Sequence, residues 1–208
     1  MRKIYNLFSQ VYRKNKAKTL SVLGILGSPR IGGNSDILLE RALEGAQESG
    51  ASAEKIILNS LNIAPCQACE ELEDNTGCIV EDDMQDIYAK VQQADVIIIA
   101  SPIYFGSLSS QTKIMIDRFQ CWWRLKNILN SPIDSKKKQG AFICVQAGDK
   151  EEFFANSRSI IKNLFATINA EYTDELLCPG VEDKGSVLEK PEVMDRAFEL
   201  GQKLVEQK

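Results

Sequence analysis

Residues 21–35 read SVLGILGSPRIGGNS. Six mostly apolar residues, Ser21 to Leu26, run into a loop of glycine, serine and proline that carries one arginine. A helical pattern then begins at Asp36, with Ile37, Leu38, Ala42, Leu43 and Ala46 on one face. An apolar run without polar alternation, then a turn, then an amphipathic helix is the opening unit of a parallel α/β sheet. The same alternation repeats along the chain. Candidate strands are Ser21–Gly27, Glu54–Leu58, Asp95–Ser101, Gly140–Gln146 and Glu171–Cys178. Candidate helices are Asp36–Gln47, Met84–Gln93, Leu108–Ile128, Phe153–Ile168 and Glu192–Gln207. Five βα units in succession predict one doubly wound α/β domain over residues 21–208, with a five-stranded parallel sheet of order 2-1-3-4-5.

Two segments depart from a minimal domain. Residues 1–20 carry six Lys or Arg and no acid, and Ile4, Leu7, Phe8, Val11 and Tyr12 recur at helical spacing. This predicts an extra N-terminal amphipathic helix that packs on its own domain or on another subunit. With no apolar h-region it does not read as a secretory signal. The second departure is Asn59 to Asp83, about twice the usual length allowance for a loop, and loops of that length are often functional.

Composition removes several classes of function. The 208 residues carry a net charge of −4, so no broad basic field exists for nucleic acid. The longest apolar run, Val96 to Phe105, is far short of the roughly 20 residues that span a bilayer. No histidine occurs anywhere. Imidazole acid–base catalysis, Ser-His-Asp and Cys-His nucleophiles and the commonest zinc ligands are therefore absent. Chemistry must come from carboxylates, thiols, tyrosine, backbone dipoles or a cofactor. Six cysteines in 208 residues do not form a disulfide scaffold and fit a reducing cytoplasm.

In a sheet of this order ligands bind beyond the C-terminal ends of strands 1 and 3. The loop Gly27–Ser35 offers the Ser28 and Ser35 hydroxyls, the Arg30 guanidinium, the Asn34 amide, and backbone N–H groups near Gly32 and Gly33. Asn34 or Ser35 would cap the next helix. Converging donors at a helix N-terminus suit an anion. The loop lacks the Lys-Ser/Thr end of a triphosphate loop and is not G-x-G-x-x-G, so one phosphate monoester fits best. Alone, it reads equally as an ordinary polar turn. The second loop, SPIYFGSLS from Ser101, sets Pro102, Ile103, Tyr104, Phe105 and Gly106 at the same crevice. Aromatics beside exposed backbone suit a planar ring, although one of them could simply plug the sheet end.

GSPR-x-x-GNS after the first strand, with ADVIIIASPIYFGSLSSQTKIMIDR (Ala94 to Arg118), closely resembles the flavodoxin-like NAD(P)H-dependent FMN reductase family, nearest to its iron–sulfur flavoprotein branch. The resemblance implies that Ser28, Arg30, Gly33, Asn34 and Ser35 hold the FMN phosphate. It implies that Pro102 to Gly106 contact the ribityl chain and ring, and that Ala147 and Gly148 complete the ring pocket. NAD(P)H would be co-substrate, and a small-molecule electron acceptor or a redox protein the partner. The protein is then expected to be a cytoplasmic homodimer or homotetramer, with no nucleic-acid or membrane partner. Asp117-Arg118 reads as a helix-surface or subunit-contact pair. The consecutive Trp122 and Trp123 cannot share one helix stripe, so one is expected to meet a partner or the flavin pocket.

PCQACEELEDNTGC supplies Cys66, Cys69 and Cys78, with Leu72 where the iron–sulfur branch has its third cysteine. A [4Fe–4S] cluster normally takes four thiolates, so none is expected unless Cys121 or another subunit supplies the fourth. The loop otherwise reads as a relic or as a Cys66/Cys69 redox pair. Besides an FMN oxidoreductase, the sequence admits an electron-transfer flavoprotein without its own NAD(P)H site. A receiver-like module fits poorly, because Gly27-Ser28-Pro29-Arg30 stands where receivers place acids. Asp82 and Asp83 open a helix and read as its cap and dipole partners.

Overall fold

The computed structural model describes residues 19–69, 77–131 and 136–208. The N-terminal helix expected within residues 1–20 falls, except for residues 19 and 20, outside them. The strands are β1 (Ser21–Leu26), β2 (Ser52–Ile57), β3 (Val96–Tyr104), β4 (Ser107–Leu108), β5 (Lys138–Val145) and β6 (Ala170–Cys178). The helices are α1 (Asn34–Glu48), α2 (Met84–Gln93), α3 (Ser110–Arg118), α4 (Gln120–Asn127), α5 (Glu151–Thr167) and α6 (Pro191–Glu206). The sheet order is β2-β1-β3-β5-β6, all parallel. This is the anticipated 2-1-3-4-5 order once the two-residue β4, paired antiparallel to β3, is set aside.

Strand alternation divides the core in two. Leu23, Ile25, Ile97, Ile99, Phe142 and Cys144 face α2, α3, α4 and α5. Val22, Leu26, Val96, Ile98, Ala100, Ala141 and Ile143 face α1 and α6. Both faces are covered, which is why the central strands read as unbroken apolar runs.

The single long helix expected over Leu108–Ile128 is instead two. The chain turns at Phe119, whose N–H donates to the Ile116 carbonyl three residues back at 3.0 Å. Phe119 meets Tyr88 and Trp122 edge-on, with ring centroids 5.1 and 5.0 Å away. This aromatic packing, rather than a proline or glycine, accompanies the break.

Arg118 corrects the sequence reading. It is only 1 % exposed. Its guanidinium donates to the Asp82 carboxylate at 2.5 Å, to the Ala64 and Val80 carbonyls at 2.9 and 3.2 Å, and to Cys78 Sγ at 3.3 Å. Asp82 also accepts from the N–H groups of Ala64 and Met84. The Asp82 carboxylate therefore accepts the first N–H of α2 and ties Ala64 to α3, whereas Asp83, at the N-cap position, makes no side-chain cap bond and accepts from the Asn62 N–H at 2.7 Å instead. Burial opposes the ionisation of Asp82, but the Arg118 guanidinium and the two N–H groups outweigh that and hold its carboxyl below the usual range. Asp117 alone is at the surface, paired with Lys113. Of the two tryptophans, Trp122 is buried and Trp123 is 42 % exposed.

Candidate functional site

β1 and β3 are neighbours whose chains leave toward opposite edges of the sheet, so a crevice opens beyond their C-terminal ends. Three loops and the start of α1 line a cavity of about 230 Å³ there. Loop 27–33 gives Ser28, Arg30 and Gly33, and α1 gives Asn34 and Ser35. β3 gives Pro102, Ile103 and Tyr104, and the end of β5 gives Val145, Gln146 and Ala147. Nine of the residues singled out in the sequence thus surround one cavity. Phe105, Gly106 and Gly148 do not line it.

The cavity's polar end is built by close backbone packing. The Gly27 N–H donates to the Ala100 carbonyl at 2.8 Å, and its carbonyl accepts from Ser109 Oγ at 2.6 Å. A Cβ on Gly27 would fall 1.7 Å from Thr112 Oγ1, so only glycine lets the loop reach this position. The Arg30 N–H donates to Ser28 Oγ at 3.1 Å, and the Gly32 N–H to the buried Asp36 carboxylate at 2.7 Å. These two bonds bend the loop around the start of α1. The N-cap residue, Gly33, has no side chain to cap that helix, and no side chain among the described residues takes its place, which leaves the N–H groups of its first turn for a ligand. Ser35 is 2 % exposed, and its hydroxyl has no hydrogen-bond partner among the described residues. Such a buried orphan calls for an explanation, and of the four side chains that carry one among the described residues, Ser35 is the one that lines this cavity.

Asn34 does something the sequence does not disclose. Its amide donates to the Asp183 carbonyl at 3.0 Å and to Ser186 Oγ at 3.3 Å, and its oxygen accepts from the Val187 N–H at 3.2 Å. Its side chain is therefore engaged by the segment after β6. That segment adds Val181, Glu182 and Lys184 to the cavity wall. Sequence reasoning overlooked all three, and Gln146 too. Their only local signal is the Pro-Gly break after Cys178, at the C-terminal end of an edge strand.

β3 and β4 form a two-residue hairpin whose central residues, Phe105 and Gly106, have φ of +50° and +78°. Positive φ at both positions is the type I′ geometry that suits strand twist, and glycine is at home at the second. Phe105 is forced outward at the tip and is fully exposed. Tyr104 is 39 % exposed at the cavity edge.

A second cavity, about 250 Å³, lies between residues 66–69 and 77–80 on one side and the α3–α4 junction on the other. Cys66, Cys69, Cys78 and Cys121 line it with Arg118 and Arg124. The Cys66 sulfur accepts from the Ala68 N–H at 3.5 Å. Burial pushes the Cys121 thiol up to about 11, with Cys78 adding to the rise and the Tyr88 hydroxyl 3.5 Å away opposing it. Among the described residues no group of three or more Cys, Asp or Glu side chains is placed to hold a metal ion. Leu72 lies outside the described residues.

The doubly wound sheet with its crevice at the β1/β3 switch point is a flavodoxin-like α/β fold. It superimposes on a flavone reductase with a TM-score of 0.68 over 90% of this chain and 62% of that one, at 23% identity. It also superimposes on the NAD(P)H:quinone oxidoreductase from Methanothermobacter marburgensis, with a TM-score of 0.66 over 89% and 96% at 15% identity. The pattern of the NADPH-dependent FMN reductase family matches residues 20–166, and the chain belongs to that family. An iron-sulfur flavoprotein of Methanosarcina thermophila is 39% identical over 99 residues, 48% of this chain and 52% of that one. The putative NAD(P)H-dependent FMN-containing oxidoreductase YwqN of Bacillus subtilis is 34% identical over 102 residues, again 48% and 52%. The chain spans about half the length of the curated relatives it matches. No helix among the described residues is long and apolar enough to cross a membrane.

Proposed function

We propose that this protein is an FMN-dependent oxidoreductase that uses NADH or NADPH to reduce a quinone, a free flavin, a nitro or azo compound, or a protein. The observation that carries the reading is the unspent donor set at the cavity's polar end. Among the described residues the buried Ser35 hydroxyl has no partner, no side chain caps the helix start, and Arg30 reaches only the Glu182 carbonyl at 3.5 Å. A compact dianion satisfies all three at once. FMN, when bound, supplies the redox chemistry, accepting a hydride and passing electrons on.

The chain's own residues bind and orient. Ser28, Arg30, Ser35 and the first-turn N–H groups of α1 hold the phosphate. Pro102, Ile103 and Tyr104 form an apolar wall for the rest of the cofactor and exclude water from one side of it. Ala147 and Gln146 close the opposite edge, where Gln146 is fixed by its bond to the Lys150 carbonyl at 3.2 Å. No side-chain acid or base is required, in keeping with a sequence without histidine. The exposed Trp123 face is the expected contact of a homodimer or homotetramer.

The test is anaerobic mixing of the FMN-loaded protein with NADH or NADPH. Rapid bleaching of the flavin band supports the reading, and no bleaching with either nucleotide rejects it. In that case a second reading takes over, an electron-transfer flavoprotein working between redox proteins. The observation favouring it is the thiol-lined cavity near the surface, and iron and zinc assays on the same sample would characterise that cavity.

A further inference from the structure

We propose that Lys184 is a second cationic anchor of the phosphate subsite, and that the buried Asn34 side chain positions it by latching the 183–187 segment to the start of α1. This rests on the FMN reading above and deepens it.

The first observation is charge left unpaired. Lys184 lines the cavity beside Arg30. Its Nζ lies 3.6 Å, and its Cε 3.4 Å, from the place a Cβ on Gly32 would occupy. The ammonium is therefore draped over the loop that bends around the helix start. Several cations of this protein pair with carboxylates, Lys55 with Asp36 and Glu40, Lys113 with Asp117, Arg158 with Glu175, Arg196 and Lys203 with Asp174, while others, such as Lys126 and Lys190, donate to backbone carbonyls. Neither Arg30 nor Lys184 has such a partner among the described residues, although Glu182 and Asp183 are sequence neighbours of Lys184. Glu182 offers Arg30 its carbonyl, and Asp183 offers Asn34 its carbonyl. The first-turn acid Asp36 is paired with Lys55, so Arg30 and Lys184, two like charges beside the start of α1 with no ion-pair partner of their own among the described residues, repel one another and the helix dipole. A dianion between them removes that repulsion, and Ser35, whose hydroxyl has no partner among the described residues, lines the same cavity.

The second observation is how the lysine is held. Most surface lysines ride on mobile backbone. Here Asn34, 8 % exposed, binds the segment at Asp183, Ser186 and Val187, on both sides of Lys184. Val187 is itself fully buried. Asn34 adjoins the first-turn donors of α1, so one side chain fixes the distance between the helix start and the loop that brings Lys184. The loop matching the family pattern thus acts partly through a segment more than 140 residues away.

FMN and riboflavin share the ring and ribityl chain and differ by the phosphate, so comparing them isolates the subsite. Dissociation constants are read by quenching of flavin fluorescence, at low and high salt, for the full chain. Lys184→Ala is expected to weaken FMN about tenfold at low salt and to reduce the salt dependence, with riboflavin unchanged. Lys184→Arg retains most of the FMN affinity. Asn34→Ala weakens FMN in the same direction, and the Asn34→Ala/Lys184→Ala pair costs less than the two single effects multiplied, because both act through one contact. The exposed Lys184→Ala leaves the unfolding temperature unchanged, so a folding defect is not at issue for that variant.

Unchanged FMN affinity in Lys184→Ala, with the wild type binding FMN tightly, overturns this proposal and leaves the FMN reading standing. Equal loss for FMN and riboflavin also overturns it, since the lysine would then shape the cavity without touching phosphate. Full additivity of the two substitutions overturns the latch. A wild-type protein that binds neither flavin instead rejects the FMN reading itself.

Discussion

Replacing Arg118 by leucine removes the cation from a buried pair in which both side chains are nearly inaccessible, 0% and 6% exposed. The Asp82 carboxylate would keep the N–H groups of Ala64 and Met84, at 2.8 and 3.0 Å, but lose its only counter-charge among the described residues. The Ala64 and Val80 carbonyls would lose a donor in the same step. Breaking one side of a buried ion pair costs about 3–5 kcal/mol, a large share of the roughly 5–15 kcal/mol that holds a typical domain. The pH dependence supplies a sign. In the wild type the Asp82 carboxyl is held low, so the pair's contribution is present above the unfolded value near 4 and fades as pH falls through the folded value. In Arg118→Leu the buried carboxyl has no cation and its folded value rises above the unfolded one. The variant then loses stability as pH rises past about 4. The gap between the two proteins is therefore widest near neutrality and narrows toward acid. Urea unfolding followed through Trp122, which stacks on Tyr88 with ring centroids 5.5 Å apart, reads both quantities. Adding Asp82→Asn to Arg118→Leu should recover part of the loss. A loss below about 1 kcal/mol at neutral pH, or a gap that does not change with pH, refutes the reasoning.

Arg30→Ala should weaken FMN by roughly ten- to a hundredfold and leave riboflavin almost unaffected, since a charge-assisted phosphate contact is worth about 1.5–3 kcal/mol; equilibrium titration with both flavins checks this. A thiol reagent near neutral pH should modify Cys66, Cys69 and Cys78, which are half-buried, well before Cys121, Cys144 and Cys178, which are buried; mass spectrometry of the native protein over time reads the order. A Cβ on Gly201 would fall 1.8 Å from the Ala42 carbonyl. Gly201→Ala must therefore push α6 off α1 and should cost about 1–3 kcal/mol in urea unfolding.

The parts of this protein that were legible in its sequence are those whose causes are local. The β1–loop–α1 unit is announced by an apolar run, a Gly/Pro/Ser turn and a helical stripe. α2 begins and ends at Met84 and Gln93, where periodicity placed it. The switch-point crevice followed from strand order alone. What escaped depends on partners distant in the chain. Asp117-Arg118 looks like a surface pair because both residues are charged, yet Arg118 is buried by an acid 36 positions upstream. The break at Phe119 carries no proline or glycine, only an aromatic cluster drawn from α2 and α4. Asn34 reads as a ligand donor, and its hydrogen-bond partners in the fold, at Asp183, Ser186 and Val187, lie on a segment with no periodic signal. Lys184 is one lysine among many until the fold sets it over Gly32.

The most direct test of the central claim is the affinity of the flavin-free, full-length protein for FMN and for riboflavin at one low salt concentration. The account predicts that FMN binds at least tenfold more tightly, because in the proposed reading the Ser35 hydroxyl, the start of α1 and Arg30 hold its phosphate. Equal affinity for the two flavins, or binding of neither, would contradict it.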